Sequence, residues 1–252
     1  MNWRPLIPFL FTSAAMVAGV MSLLEAATGN LFASAQLIML SMILDGLDGQ
    51  VARSLKATSA FGAELDTFVD IVSFGVAPAF LAWSAALHEY GALGVILVCS
   101  IVLSGASRLA RFRIVDPQRG QQGYLGLPIT VLGGWLAVVV LISESALFQP
   151  DWMSLVDGPM ATLTWTVTVM FVLLQVSHLR YEKPTKIPIL FGASLVAVVC
   201  LFLTREIAVA AAEAIAAAMF LYGFVTPFLP KHDVVIEIDS DDDEEPVPVR
   251  HG

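Results

Sequence analysis

Long apolar stretches constrain this chain more than any other feature of its sequence. A helix that crosses the hydrocarbon core of a bilayer needs about 20 mostly apolar residues, and lipid admits only helices and closed barrels as spanning structures. Eight stretches have about that length: 6–27, 31–51, 63–87, 91–112, 128–148, 158–178, 187–204 and 206–229. We therefore predict an all-α integral membrane protein with about eight transmembrane helices.

The composition supports this class, because only 14% of the 252 residues are charged, whereas soluble domains carry about 25%. The net charge of −9 says little about the membrane part, since residues 231–252 hold eight acids and two bases. An acidic, proline-bearing segment of this kind is typical of disorder. We expect a transmembrane domain at 1–230 and a disordered acidic tail at 231–252. A solvated tail is favoured over a regulatory contact with a basic surface.

Lysine and arginine residues predict the orientation, because the cytoplasmic loops of membrane proteins carry an excess of both. With eight spans, twelve of the thirteen fall on the side that holds both termini, and only Arg205 falls on the other side. We therefore expect a multi-pass protein of the inner or plasma membrane with both termini in the cytoplasm. The aspartates described next would face the cytoplasm as well.

Four aspartates lie at the ends of apolar stretches that are otherwise suited to a lipid environment. Asp45 and Asp48 end one apolar stretch, and Asp66 and Asp70 begin the next. Spacings of three and four residues put each pair on one face of a helix, so two neighbouring helices can turn their carboxylates toward each other. Clustered carboxylates repel unless a cation lies among them, and Mg²⁺ is usually bound by carboxylates together with substrate phosphates.

Ionisable groups at membrane depth are costly and are usually functional. The aspartates therefore predict a metal site that handles a phosphorylated substrate at the membrane surface. The alternative is a pair of acid-tipped helices that form salt bridges with Arg53 and Lys56. That alternative explains neither the glycines of this segment nor its spacing.

The segment that contains the four aspartates also follows a known signature, D-x2-D-G-x2-A-R-x8-G-x3-D-x3-D. Eight fixed residues match it at every spacing over 26 positions: Asp45, Asp48, Gly49, Ala52, Arg53, Gly62, Asp66 and Asp70. On these residues the chain resembles the CDP-alcohol phosphotransferases. The resemblance implies a core of six transmembrane helices, followed here by two C-terminal helices.

The resemblance also implies roles for the aspartates. Two divalent ions, Mg²⁺ or Mn²⁺, would be held by Asp45, Asp48 and Asp66, since two metals can clamp a pyrophosphate. Asp70 would act as the general base and contribute to metal binding. A base placed to take an alcohol proton is what phosphoryl transfer to a hydroxyl requires.

Several residues are expected to bind the nucleotide of CDP-diacylglycerol. Glycines let the backbone approach a ligand closely, and an arginine offers a fork of donors to phosphate oxygens. The first helix carries part of the related segment IPNxxTxxNxxxG, in which Phe9 and Ala15 replace the two asparagines. The predicted CDP-diacylglycerol-binding residues are Gly49, Ala52, Arg53, Gly62 and Thr12.

Arg108 and Arg111 are expected to bind the anionic group of the acceptor, because they are three residues apart on one helix face. The alternative is that they only anchor the helix at the cytoplasmic surface. Their segment, SRLARFR, resembles the RLARFN stretch of phosphatidylserine synthases within the family. Two further segments resemble other parts of the same enzymes: GLP at Gly126–Pro128 resembles their GLP-containing loop, and SHLRYEKPTK at Ser177–Lys186 resembles their S-x-x-R-Y segment.

The resemblance as a whole implies transfer of a phosphatidyl group from CDP-diacylglycerol to L-serine, with release of CMP. Its implied partners are these substrates and membrane lipids, without nucleic acid, and a homodimer is one option for the assembly. Glycerol 3-phosphate, inositol phosphate or another alcohol stays open as the acceptor. A cation transporter also stays open, although the aspartates lie at span ends and no inverted repeat is visible.

Overall fold

The structure, a computed structural model, describes residues 6–115, 124–145, 154–181 and 196–228. Six helices in these ranges are long and apolar enough to cross a membrane: Leu6–Ala27, Leu31–Ser54, Ala60–Ala85, Ala92–Ile114, Gly158–Val176 and Glu206–Phe228. They confirm the prediction of an all-α integral membrane fold. Many large apolar side chains on their outer faces are exposed, as expected of surfaces that meet lipid.

The described elements follow one another as helices with two short strands between them. They are α1 (Leu6–Ala27), α2 (Leu31–Ser54), α3 (Ala60–Asp70), a π-helix (Ile71–Val76), α4 (Ala77–Ala85), a 3₁₀-helix (Leu87–Tyr90), α5 (Ala92–Val115), β1 (Tyr124–Leu125), α6 (Ile129–Ser143), α7 (Gly158–Val176), β2 (Arg180–Tyr181), α8 (Arg205–Val225) and a 3₁₀-helix (Thr226–Phe228). Residues 196–200 are also helical.

Two of the eight predicted spans need comment. The stretch 128–148 contains α6, whose 15 residues are about 22 Å long at 1.5 Å per residue. The first half of the stretch 187–204, residues 187–195, lies outside the described residues, as does the acidic tail at 231–252.

Helix α6 forms the centre of the bundle. Twelve of its 15 residues are buried, and it packs against α2, α4, α7, α8 and the π-helix. A helix that is apolar on every side is expected to be buried on every side. Its short length therefore fits a position among other helices rather than against lipid.

Small residues bring α1 close to α2 and to the π-helix. The backbone carbonyl of Ala15 accepts hydrogen bonds from the hydroxyls of Ser41 (2.8 Å) and Ser73 (3.3 Å). At Gly19, an added Cβ atom would lie 2.3 Å from Ser73 Oγ. Such close contacts are typical of helix packing in membranes, and they hold together the helices that carry the aspartates.

The π-helix begins directly after Asp70 and was not predicted. It interrupts the predicted helix 63–87, so the observed span consists of α3, the π-helix and α4 in succession. Its wider turn changes the direction of the side chains that follow, relative to an unbroken α-helix. Turns of this kind occur often at functional sites.

One end of the bundle, which we call the motif end, gathers the start of α1, the end of α2, the start of α3 and the ends of α5 and α7. Arg113 at the end of α5 pairs with Glu64 near the start of α3, and β1 pairs antiparallel with β2 after α7. The cations of the described ranges at this end are Arg53, Lys56, Arg108, Arg111, Arg113 and Arg180. Arg205 begins α8 at the opposite end.

Candidate active site

Three carboxylates converge between α2 and α3 near the motif end. One oxygen from each of Asp45, Asp48 and Asp66 lies within 4.8 Å of the others. The spacing on α2 turns Asp45 and Asp48 to one side of that helix, and Asp66 projects from the neighbouring α3. The structure therefore brings together three of the four aspartates that were predicted to bind metal, and Asp70 is not among them.

The chemistry of this cluster fits a divalent cation. Oxygen is the only ligand atom that the three side chains offer, and hard cations such as Mg²⁺ prefer oxygen ligands. Oδ1 of Asp45 is buried and has no hydrogen-bond partner among the described residues. A buried carboxylate oxygen without a partner is costly, and a bound cation would supply the missing interaction.

Thr12 on α1 fixes the position of Asp48. Its hydroxyl donates a hydrogen bond to Asp48 Oδ2 at 2.5 Å and also lies 3.0 Å from the carbonyl oxygen of Pro8. Asp48 is only 6% exposed, so this contact holds one carboxylate oxygen in a set direction. The predicted site residue Thr12 therefore lies at the cluster, in contact with one of its aspartates.

Asp70 ends α3, one turn beyond Asp66. It is not among the three residues whose oxygens converge. Its charge nevertheless interacts with those of Asp45, Asp48 and Asp66 on one side and with that of Arg108 on the other. Asp70 thus lies between the carboxylate cluster and α5.

An open groove of about 430 Å³ leads to the aspartates between α1, α2 and α3. Asp48 and Asp66 lie on its wall, and the aromatic rings of Phe9 and Phe61 lie beside each other with centroids 6.4 Å apart. All five residues predicted to bind CDP-diacylglycerol line this groove: Thr12, Gly49, Ala52, Arg53 and Gly62.

The two glycines of the groove are in close contact with their neighbours. An added Cβ atom at Gly49 would lie 3.3 Å from Arg53 Nη1, so the arginine extends over the glycine. The backbone N–H of Gly62 donates to Ser59 Oγ at 3.0 Å, and this contact caps the start of α3. A side chain at Gly49 would displace the guanidinium of Arg53.

Arg108 is the most deeply placed of the three arginines on α5. It is 5% exposed, its Nε lies 3.5 Å from the carbonyl oxygen of Gly126, and its charge interacts with Asp70. Gly126 begins the GLP segment, in which Leu127 donates a backbone hydrogen bond to Leu174 of α7. Arg108 therefore lies between Asp70 and the GLP segment.

Arg111 has a different environment. Its guanidinium donates to the carbonyl oxygens of Gln175, Val176 and Ser177 at 3.1, 3.0 and 2.9 Å. These carbonyls lie at the end of α7, where backbone carbonyl groups have no donor within the helix. The Arg111 guanidinium supplies the missing donors. The structure gives Arg111 a structural role, and its predicted role in acceptor binding stays a prediction.

Sequence reasoning missed a buried polar pair next to Arg108. Ser104 on α5 and Gln175 on α7 are both buried, with Ser104 Oγ 2.7 Å from Gln175 Oε1. No motif marks these residues. The available signal was a glutamine near the end of a helix that has no other amide or charged side chain, two residues before the SHLRYEKPTK segment.

Comparison with known proteins confirms the resemblance. Residues 5–180 match the family described as CDP-alcohol phosphatidyltransferase. A CDP-diacylglycerol–serine O-phosphatidyltransferase of Helicobacter pylori is 32% identical over 217 residues, which cover 86% of this chain and 87% of that protein. Enzymes of the same name are 37% identical in Methanocaldococcus jannaschii, over 64% of this chain and 71% of that one, and 34% in Bacillus subtilis, over 53% and 74%.

Proposed function

The chain belongs to the CDP-alcohol phosphatidyltransferase family, and from that premise we propose that it transfers the phosphatidyl group of CDP-diacylglycerol to L-serine. The products would be phosphatidylserine and CMP. The observation that carries the proposal is the convergence of Asp45, Asp48 and Asp66, within a complete family signature, beside Asp70 and Arg108. The name shared by the relatives favours serine among the acceptors.

Asp45, Asp48 and Asp66 would hold two divalent ions, Mg²⁺ or Mn²⁺, with Asp70 as a further ligand. When bound, such ions neutralise the charge of a diphosphate and stabilise attack and departure at one phosphorus. The convergent oxygens and the unpartnered buried Oδ1 of Asp45 support this assignment. Thr12 would keep Asp48 in a ligating position through its hydrogen bond.

The groove between α1, α2 and α3 would bind CDP-diacylglycerol. Arg53, which extends over Gly49, offers several N–H donors to the diphosphate, and Gly49 and Gly62 line the groove in which the nucleotide would lie. Phe9 and Phe61 are exposed at the groove, on an outer surface that meets lipid. The diacylglycerol tails would therefore leave the groove toward the bilayer.

Asp70 would accept the proton of the serine hydroxyl as its oxygen attacks the phosphorus that carries the diacylglycerol. The new bond joins the serine oxygen to this phosphorus, and the bond that breaks joins the same phosphorus to the CMP oxygen. CMP leaves with the electron pair of that bond. Arg108, and Arg111 as first predicted, would bind the serine carboxylate beside the base, where Arg108 already interacts with Asp70.

The reaction would take place at the cytoplasmic face, with both termini and the tail at 231–252 in the cytoplasm. The separation of Arg53, Lys56 and the α5 arginines from Arg205 supports this orientation. A reporter fused after Gly252 should read as cytoplasmic, and a cysteine placed at Glu89 should be labelled from outside. Light scattering of the purified protein would test the homodimer that the family resemblance suggests.

The deciding experiment uses purified protein, CDP-diacylglycerol, a divalent cation and a panel of acceptors, with the lipid product identified by mass. Phosphatidylserine together with CMP supports the proposal. A product made only from glycerol 3-phosphate or an inositol phosphate would move the proposal to another acceptor. If no CMP is released with any acceptor, the protein is not a phosphatidyltransferase, and cation transport becomes the function to test.

A further inference from the structure

A buried glutamine lies one helical turn deeper in the bundle than Arg108. Gln175 of α7 is 0% exposed, and its Oε1 lies 2.7 Å from the hydroxyl of Ser104 on α5. The same hydroxyl lies 3.1 Å from the carbonyl oxygen of Ile101. A serine hydroxyl has one proton and can donate to only one acceptor at a time. Of the two acceptors near this hydroxyl, Oε1 of Gln175 is the closer.

The other half of the Gln175 amide has no partner. Its Nε2 is buried and forms no hydrogen bond with any residue in the described ranges. Buried side-chain amides normally form hydrogen bonds, because burial without a partner is unfavourable. The side chain therefore presents two N–H donors within a packed region where water is scarce.

Gln175 and Arg108 belong to one contiguous group. Ser104 and Arg108 are four residues apart on α5 and share a face of that helix. Gly126 contacts Arg108 through its carbonyl oxygen, and an added Cβ atom at Gly126 would lie 2.2 Å from the backbone oxygen of Gln175. Asp70 completes the group through its interaction with Arg108.

We propose that Gln175 determines specificity for the acceptor by donating a hydrogen bond from its side-chain amide to the acceptor's carboxylate beside Arg108. This inference rests on the proposed transfer to serine. A carboxylate has two oxygens with room for about four hydrogen bonds, so it can accept from the arginine and from the amide together. The neutral amide adds a donor without a second positive charge next to the base.

The test compares two Gln175 variants with a matched control. Gln175→Met keeps the length and burial of the side chain and removes the amide, while Gln175→Glu replaces the donor with a carboxylate. Thr168→Val is the control, because Thr168 is also 0% exposed on α7 and its hydroxyl donates within its own helix, to Thr164. KM and kcat are measured for serine and for CDP-diacylglycerol, and folding is followed by thermal melting.

Gln175→Met should raise the KM for serine about tenfold, which corresponds to about 1.4 kcal/mol, and should leave the KM for CDP-diacylglycerol within about twofold. Gln175→Glu should raise the KM for serine further, because two carboxylates would face each other. The control should change neither constant. If Gln175→Met does not fold, the Gln175→Glu variant decides by the same comparison.

Two results would overturn the assignment. A wild-type KM for serine in Gln175→Met would mean that the amide does not contact the acceptor. A lower KM for serine in Gln175→Glu would mean that this position faces the ammonium group instead of the carboxylate. If the wild-type protein does not use serine at all, the proposed function is wrong, and so is the assignment of Gln175 to the serine carboxylate. If the wild-type protein uses serine and the variants give either of the two results above, only the assignment of Gln175 is wrong.

Discussion

The two sides of the aspartate cluster differ in their exposure and in the helices that form them. On one side, which we call the groove side, α1, α2 and α3 form an open groove with Phe61 69% exposed. On the other, the buried side, Arg108, Leu127 and Gln175 from α5, the GLP segment and α7 are nearly or fully enclosed.

This difference matches two ligands of different size and polarity. A nucleotide joined to a diacylglycerol is large and must keep its tails in lipid, so an open groove between helices suits it. A small zwitterion such as serine needs a few well-placed polar groups, and these act more strongly where water is excluded. The comparison therefore predicts that substitutions on the two sides affect different substrates.

The largest effect should come from the cluster that both sides share. Asp66→Asn or Asp45→Asn removes one negative charge from the proposed metal site, so we expect activity to fall to the level of a control without enzyme, with metal-dependent nucleotide binding lost as well. Glu25→Gln is a matched control, because the Glu25 side chain accepts a hydrogen bond from Asn30 at the opposite end of α1, away from the cluster. Full turnover in excess chelator would contradict the metal assignment.

Asp70→Asn should have the next largest effect and should leave the groove side intact. The amide keeps the size of the side chain but cannot take the hydroxyl proton. We expect kcat to fall by about 10²- to 10⁴-fold, the usual contribution of a general base, while binding of CDP-diacylglycerol to the purified variant stays near normal. Near-normal turnover combined with weak binding would show that Asp70 is a ligand and not the base.

The groove side was predictable from the sequence because its residues are close together along the chain. Asp45, Gly49, Arg53 and Gly62 lie within one short segment of fixed spacing, and helical periodicity alone puts the aspartate pairs on single faces. Thr12 was also predicted, since the first helix carries part of a family segment. The apolar stretches gave the helices, because membrane length is a physical constraint on sequence.

The buried side was less predictable, because its contacts join distant parts of the chain. Spacing put Arg108 and Arg111 on one helix face but could not show that Arg111 donates to the end of α7. Gln175 belongs to no motif, and its contact with Ser104 joins two residues, on different helices, that are 71 positions apart along the chain. Nor does the sequence signal the π-helix after Asp70, because its wider turn depends on packing against neighbouring helices.

Arg108→Lys should weaken use of the acceptor more than Arg111→Lys does. Lysine keeps the charge and loses the planar fork, so we expect the KM for serine to rise about tenfold to a hundredfold in Arg108→Lys, from the loss of about 1.4 to 2.8 kcal/mol. The KM for CDP-diacylglycerol should change little in both. Arg111→Lys should mainly lower the melting temperature, because it loses contacts with the end of α7. If both variants keep the wild-type KM for serine, both arginines only anchor α5.

Gly126→Ala should damage the buried side selectively. Gly126 has a φ of +75°, which disfavours any side chain, and a new Cβ atom would also lie 2.2 Å from the backbone oxygen of Gln175. Gly29 has a φ of +85° with no atom nearby, so Gly29→Ala is a control with similar backbone strain and no crowding. We expect Gly126→Ala to cost about 1–3 kcal/mol more stability than Gly29→Ala and to raise the KM for serine but not for CDP-diacylglycerol. Equal melting temperatures for the two variants would show that the GLP segment is not tightly packed.

The smallest effect should come from Tyr181 in β2, whose side chain contacts Tyr222 and Gly223 near the end of α8. Its hydroxyl donates to the carbonyl oxygen of Gly223 at 3.0 Å, so Tyr181→Phe should cost about 1 kcal/mol and leave both KM values unchanged. Burial raises the pKa of Tyr181 to about 12, whereas an exposed tyrosine has a pKa of about 10. Because the folded protein has the higher pKa, the stability that the neutral phenol provides is complete below about pH 10 and is lost as the pH rises toward 12. The melting temperature of the wild-type protein should therefore fall more than that of Tyr181→Phe between pH 9 and pH 11, and parallel curves would show that Tyr181 is not buried in the folded protein.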